Sequence, residues 1–276
     1  MRPDVVLLNE FDYDADQRAI DLFEKRYLAV PKFGLTPIKY DYRYTGPVNT
    51  GVPSGLDLDN DGKTDGPADA WGFGRHPGQY GMVVLSRYPI DASKVRSFQH
   101  LLWARLPQAR RPMNPDGSHF YSDEVWSKLR LSSKSHWDVP IDTALGRVHL
   151  LASHPTPPVF DGPENRNGAR NADEITFWRH YLASESAEWL CDDAGRCGGL
   201  ASEARFVIAG DLNADPFDGD GDHQAIAALL ADPRVYAKQA PLSEGAAVLA
   251  AEYGLPRRGD VAAHTGDFGP RTGTMR

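Results

Sequence analysis

The segment Phe206-Val207-Ile208-Ala209-Gly210-Asp211-Leu212-Asn213 constrains this chain more than any other. Its four apolar residues predict a buried strand that stops at Gly-Asp-x-Asn. Side chains two apart on extended chain point the same way, so Asp211 and Asn213 converge on one point at the strand's mouth. A carboxylate that holds a proton or a metal, beside an amide that donates to an anionic oxygen, suits phosphate-ester chemistry. The plainer reading of Gly-Asp-x-Asn is an ordinary Asx-turn.

Two further apolar runs end in the same manner. Val5–Leu8 predicts a strand that exits at Asn9-Glu10. A hairpin is predicted from about Lys134 to Asp142 and from Arg147 to His154, turning near Leu145-Gly146 and exiting at Ser153-His154. Met82–Ser86 is another strand, closed by Arg87-Tyr88-Pro89. Helices are expected from Asp14, as N-cap, to about Leu28, with Ile20, Leu22 and Phe23 facing the core. Others are expected from the cap-x-x-Glu signature Asn171-Ala172-Asp173-Glu174 to about Leu190, with Ile175, Trp178, Tyr181 and Leu182 inward, and near residues 224–231. The mixture implies layered α/β architecture. If the three exits share one sheet edge, Glu10, His154, Asp211 and Asn213 share a cleft. Those groups are the parts needed to bind a hard cation, activate water and stabilise an oxyanion.

Glu10, the strand leading into Leu85-Ser86-Arg87-Tyr88-Pro89-Ile90, His154 and Gly210-Asp211-Leu212-Asn213 stand in the order that resembles the endonuclease/exonuclease/phosphatase superfamily of DNase I-like enzymes. The resemblance runs from about residue 4 to 216. It implies a DNase I-like four-layer α/β sandwich with two mixed β-sheets. It also implies a metal at Glu10, Mg²⁺ or Mn²⁺, with His154 stabilising or protonating phosphate oxygens. Asp211 would orient or deprotonate the attacking water, and Asn213 would hold the scissile phosphate. The family's earlier strand ending in Asn has no counterpart, since only Met1–Asp4 precede the Glu10 strand, and no Asp-His pair follows Asn213. His264-Thr265-Gly266-Asp267 holds the same residue types in another order, and no closing strand is expected at Thr274-Met275-Arg276. The expectation is therefore one domain over 1–276 that lacks the first and last core strands, a fragment with impaired activity. The other reading is a catalytically incomplete calcium-binding or partner-binding module on the same fold.

Residues 41–80 predict a long ordered loop, and within it lies Asp57-Leu58-Asp59-Asn60-Asp61-Gly62-Lys63-Thr64-Asp65. Its acidic spacing and central Gly match the front of a calcium loop, with Asp57, Asp59, Asp61, the Lys63 carbonyl and Asp65 as ligands of a structural Ca²⁺. Position 12 of that pattern is Ala68, with Asp69 next to it. Asp215–Asp222 is acidic but irregular and predicts a solvated loop. Arg166 and Arg170, in the loop predicted after His154, are candidates to grip a substrate phosphate or else to cap the next helix.

Charge bounds the partners. With 30 Lys and Arg against 38 Asp and Glu, the net charge of -8 disfavours a long nucleic acid and leaves a small or lipid-derived phosphate ester favoured. Nuclease, phosphatase and sphingomyelinase-like chemistries all remain open. No apolar run reaches a membrane span, so a soluble chain, with a parent protein open to secretion, is expected. Cys191 and Cys197 are the only cysteines, which excludes a cysteine metal site and leaves a small disulfide loop or two free thiols.

Overall fold

Alternation along the central strands sorts the apolar side chains into separate cores in the computed structural model, which describes residues 2–183, 186–254, 256–267 and 274–275. The strands and helices follow in the order β1 (Val5–Asn9), α1 (Arg18–Phe23), β2 (Tyr42–Tyr44), β3 (Met82–Ser86), β4 (Arg96–Ser97), α2 (Asp123–Trp126), β5 (His136–Thr143), β6 (Gly146–Ser153), α3 (Arg166–Ala183), β7 (Arg205–Gly210), α4 (His223–Leu230), α5 (Glu244–Tyr253), β8 (Gly266–Asp267) and β9 (Thr274–Met275). One sheet has the order β1-β3-β2 and the other β4-β5-β6-β7. Val5 and Leu7 of β1, Val84 of β3 and Trp137, Val139 and Ile141 of β5 meet between the sheets. Val6, Leu8, Val83 and Leu85 turn the other way and pack on Ile20 of α1. Leu151, Phe206 and Ile208 pack outward against Ile175, Trp178 and Tyr181 of α3 and Ile226 of α4. Helix, sheet, sheet and helix thus form the four layers of a DNase I-like sandwich, because period-two strands need an apolar partner on each face.

Several local expectations change. The first sheet is wholly antiparallel; only the second is mixed, through the parallel pair β6–β7. The helix expected from Asp14 begins at Arg18, although the Asp14 carboxylate does accept from the Arg18 and Ala19 amides. It passes into a π-helical stretch, Glu24–Leu28, and Leu22 faces solvent. The long loop contains β2 and a 3₁₀ turn, Pro67–Asp69. β7 is an edge strand with Val207 half exposed, not a fully buried one. Thr274–Met275 pairs with Gly266–Asp267 as a separate two-stranded ribbon, while Arg276 and the Asp267 side chain lie outside the described residues. Cys191 and Cys197 form a disulfide. Its loop docks beside β4, where the buried Asp192 carboxylate accepts from Arg96 Nε at 3.0 Å and Asp193 accepts from the Gln99 and His100 amides.

The largest departure is α3. It starts at Arg166, so Asn171, Asp173 and Glu174 sit inside it, fully buried, and cap nothing. Their polarity serves tertiary contacts instead. Asp173 accepts from Trp103 Nε1 at 2.7 Å and from Arg110 Nη1 at 2.6 Å. Glu174 accepts from the Ser133 and Thr156 amides at 2.7 and 2.6 Å. Most buried polar groups in folded proteins are hydrogen-bonded in this way.

His136 sits in the same layer, 4.5 Å from the Phe177 ring and 5.1 Å from Trp178, centroid to centroid. Its Nε2 donates to the Glu174 carbonyl and its Nδ1 accepts from Ser132 Oγ, so the ring is held neutral. Burial pushes its pKa down to about 4 from 6.5. Between those values the unfolded chain binds more protons than the folded one, so stability is intact above pH 6.5 and falls as pH falls toward 4. The loss attributable to this group is about 3 kcal/mol. Urea unfolding of His136→Gln beside the parent at pH 7 and pH 4 checks it: the substitution is expected to flatten the acid loss by that order. An unchanged difference would remove His136 as its source.

Candidate active site

The parallel pairing of β6 with β7 sets Ser153 opposite Gly210. The next residue of each strand, His154 and Asp211, therefore leaves the sheet at the same edge. A Cβ at Gly210 would stand 1.8 Å from the Ser153 carbonyl oxygen, so only glycine permits the approach. Glu10 follows β1 in a left-handed conformation, φ 55°, and Asn213 holds φ 50°. Such conformations in non-glycine residues are uncommon and persist where surrounding structure enforces them.

Glu10, His154, Asp211 and Asn213 line one open cleft of about 220 Å³, together with Pro157–Phe160 and with Asp215, Asp218 and Asp220. His154 Nε2 lies 3.6 Å from Asp211 Oδ2. Burial, reinforced by the nearby Lys134 charge, pushes His154 down to about 2, so the imidazole is neutral. The contact is then a polar one, longer than a hydrogen bond, and His154 Nδ1 is buried without a hydrogen-bond partner. Burial raises the Asp211 carboxyl above its ordinary range, and Glu10 adds to this; the Asn213 amide and Lys134 act against it. Asp211 Oδ1 accepts from the Asn213 amide at 3.1 Å, so the Asx-turn is present. Asn213 Nδ2 gives one proton to the Pro155 carbonyl at 3.1 Å, which ties this turn to the loop after His154.

α3 holds both exits. Asn171 Nδ2 donates to the Thr156 carbonyl at 2.8 Å and the Leu212 carbonyl at 3.0 Å. Glu174 spans Ser133 and Thr156 and thereby fixes the segment before β5 against the loop after β6. That segment carries Lys134, a buried ammonium held at a pKa of about 8 by burial, with Glu174, Asp211 and Glu10 opposing the loss of charge. Lys134 was not among the candidates from sequence. Its signal is a lysine inside Leu131–Trp137, where every neighbour is small, polar or apolar and every residue is buried.

Arg166 and Arg170 do not line the cleft. Both lie on α3, not in a loop. Arg166 pairs with Glu164, and Arg170 donates to the carbonyls of Leu131, Trp71 and Arg130. Arg170 thus staples three backbone carbonyls, while Arg166 is held by a carboxylate two residues before it. Asp215 and Asp218, expected in a solvated loop, are buried.

In the acidic loop, Asp57, Asp59 and Asp61 bring carboxylate oxygens within 4.8 Å of one another, and Asp65 is not in that group. Asp57 Oδ2 accepts from the Gly62 amide and Asp61 Oδ1 from the Lys63 amide, while Asp57 Oδ1 is buried with no partner. Asp69 closes the loop's base by accepting from the Leu58 and Gly66 amides at 2.9 Å each.

A family model described as the Endonuclease/Exonuclease/phosphatase family matches residues 1–276. No curated protein matches the chain. Similar solved structures include an endonuclease/exonuclease/phosphatase from Beutenbergia cavernae DSM 12333, with 19% identity, a TM-score of 0.43, and 83% of this chain and 45% of that one covered. Sphingomyelinase C from Streptomyces griseocarneus gives 18% identity and a TM-score of 0.39 over 83% of this chain and 56% of that one. A beta hairpin deletion mutant of beta toxin from Staphylococcus aureus gives 15% identity and a TM-score of 0.39 over 92% and 69%. The chain spans about half the length of the first two.

The close strand approach yields a direct expectation. Gly210→Ala should lower unfolding stability by about 1–3 kcal/mol, the usual range for overpacking, and should separate His154 from Asp211. Denaturant midpoints, with the chemical shifts of the His154 ring, check it. A variant with the parent's midpoint and His154 shifts would show that the strands tolerate a wider spacing.

Proposed function

The chain belongs to the endonuclease/exonuclease/phosphatase family, and we propose that it hydrolyses a phosphate ester with water, using a divalent cation, Mg²⁺ or Mn²⁺, held at Glu10. The observation that carries this reading is the meeting of Glu10, His154, Asp211 and Asn213 in one cleft. The cleft's charge supports the cation. Glu10, Asp211, Asp215, Asp218 and Asp220 all line it. An anionic phosphate enters such a cleft only with positive charge to accompany it. The oxygen donors of Glu10 and the neighbouring Asp211 fit a hard cation, and Asn9, beside Glu10, has a buried Oδ1 with no hydrogen-bond partner. When bound, such a cation polarises the phosphoryl group and offsets the charge developing on it.

The chain's own groups do the rest. Asp211, with its raised pKa, is suited to orient the attacking water and take its proton. His154 is neutral and serves as a hydrogen-bond donor to a phosphate oxygen rather than as an imidazolium acid. Asn213 keeps one amide proton for the phosphate after giving the other to Pro155. The Lys134 ammonium, near both Glu10 and Asp211, adds fixed positive charge behind them. The acidic walls and the net charge of -8 favour a small or lipid-derived ester over a long nucleic acid.

The test uses bis-p-nitrophenyl phosphate with Mg²⁺ or Mn²⁺. Asp211→Asn and His154→Ala should each lower kcat/KM by about 10²–10³, and chelation should abolish a turnover that added metal restores. Turnover that survives chelation, or Asp211→Asn with the parent's rate, would refute the assignment. Plasmid DNA assayed in parallel separates nuclease from small-ester activity.

The acidic loop supports a second element, a structural Ca²⁺ held by Asp57, Asp59 and Asp61, favoured by the orphaned Asp57 Oδ1. No described helix is long and apolar enough to cross a membrane, and the Cys191–Cys197 bond supports an oxidising compartment, where calcium is abundant. Free Ca²⁺ at about 100 times its Kd should add about 2.7 kcal/mol of stability. Thermal unfolding with and without Ca²⁺ measures this, and Asp57→Asn should erase the difference. A melting temperature indifferent to Ca²⁺ removes the site.

A further inference from the structure

Asp215 and Asp218 line the cleft with Asn213, and beyond their contribution to its negative charge neither carries a step of the hydrolysis described above. His264 reaches them from a distant part of the chain, directly after the 3₁₀ turn Val261–Ala263. Its side chain is 1% exposed, and neither ring nitrogen makes a hydrogen bond. A buried imidazole without hydrogen bonds is unfavourable unless something else satisfies it.

Its Nε2 points between two carboxylates, 3.6 Å from Asp215 Oδ2 and 3.6 Å from Asp218 Oδ2. Those separations exceed a hydrogen bond. They approach the spacing of two donors that share one ion, since ligands about 2.0–2.1 Å from a tetrahedral Zn²⁺ stand about 3.3–3.4 Å apart. All three ligand atoms lie within 4.8 Å of one another.

Each carboxylate is aimed by backbone. Asp215 Oδ1 accepts from the Phe217 and Asp218 amides at 2.8 and 3.0 Å, which turns Oδ2 toward His264. The Asp218 oxygens accept from the Arg258 and Gly259 amides at 2.8 and 3.0 Å. The Asp215 carbonyl accepts from His223 Nδ1 at 2.8 Å. Outer contacts of this kind fix the direction of ligating groups in metal sites.

We propose that Asp215, Asp218 and His264 form a second metal site, for a transition divalent cation of the Zn²⁺ class, on the wall of the cleft and separate from Glu10. The imidazole sets the class. Ca²⁺ and Mg²⁺ take oxygen ligands, whereas one nitrogen with two carboxylates suits Zn²⁺ and its neighbours. Asp215 and Asp218 belong to the lining of the cleft, so the site adjoins it. The proposal concerns binding alone and stands whether or not the hydrolytic assignment holds.

Co²⁺ is the probe, because its visible absorption reports a nitrogen-and-oxygen site directly. The full chain, stripped by chelator, should take up one equivalent with visible bands. His264→Ala and Asp218→Asn should lose the bands and weaken that binding by at least about 10-fold, while Glu10→Gln keeps the bands. Parent protein without such bands, or His264→Ala with the parent's bands and affinity, overturns the site. If circular dichroism shows that the substituted chains misfold, the parent alone decides through the ¹⁵N resonances of the His264 ring. Zn²⁺ should shift Nε2 and stop the ring's titration. A ring that ignores Zn²⁺ and titrates as an imidazolium between two carboxylates would make this an ion triad and end the proposal.

Discussion

One backbone contact orders the candidate active site. Ser153 and Gly210 pair in parallel so closely that no side chain fits at position 210. Parallel strands run in one direction, so their exits fall at one edge, and His154 and Asp211 become neighbours although 57 positions of sequence separate them. A parallel pair needs a crossover between its strands, and here the crossover carries α3. The helix that the topology requires is thus the one placed to hold both exits, which it does through Asn171 and Glu174.

The strand exits were legible because strand periodicity and a terminal Gly-Asp-x-Asn are local signals. The alternation of Val5 to Leu8 and of Met82 to Leu85 specifies two faces, and the two faces specify layers. What stayed hidden was long-range polarity. Asn171-Ala172-Asp173-Glu174 has the composition of a helix start, yet its polar atoms answer to Thr156, Trp103, Arg110 and Ser133, which are distant in sequence. Local spacing cannot tell a cap from a buried polar network, since both use the same residue types. Arg166 and Arg170 misled for a related reason: guanidinium groups near a site suggest anion binding, but backbone carbonyls use the same donors at Arg170 and the Glu164 carboxylate uses them at Arg166.

Acidic residues divide in the same way. Asp57, Asp59 and Asp61 announce themselves by even spacing. Asp215 and Asp218 do not, and their relation to His264 depends on a return of the chain after α5 that no short window contains. Burial is the property that separates them from a solvated loop, and burial belongs to the fold.

Lys134 gives the cleft a further character. Its ammonium is buried and attracted to Glu174, Asp211 and Glu10. A cluster of carboxylates with nothing among them repels itself open. A tethered cation behind the cluster works as an internal counter-ion, so the acidic groups remain gathered before any ion arrives from solution. The positions of these carboxylates are thus set during folding, which leaves little rearrangement for the binding of a cation to demand.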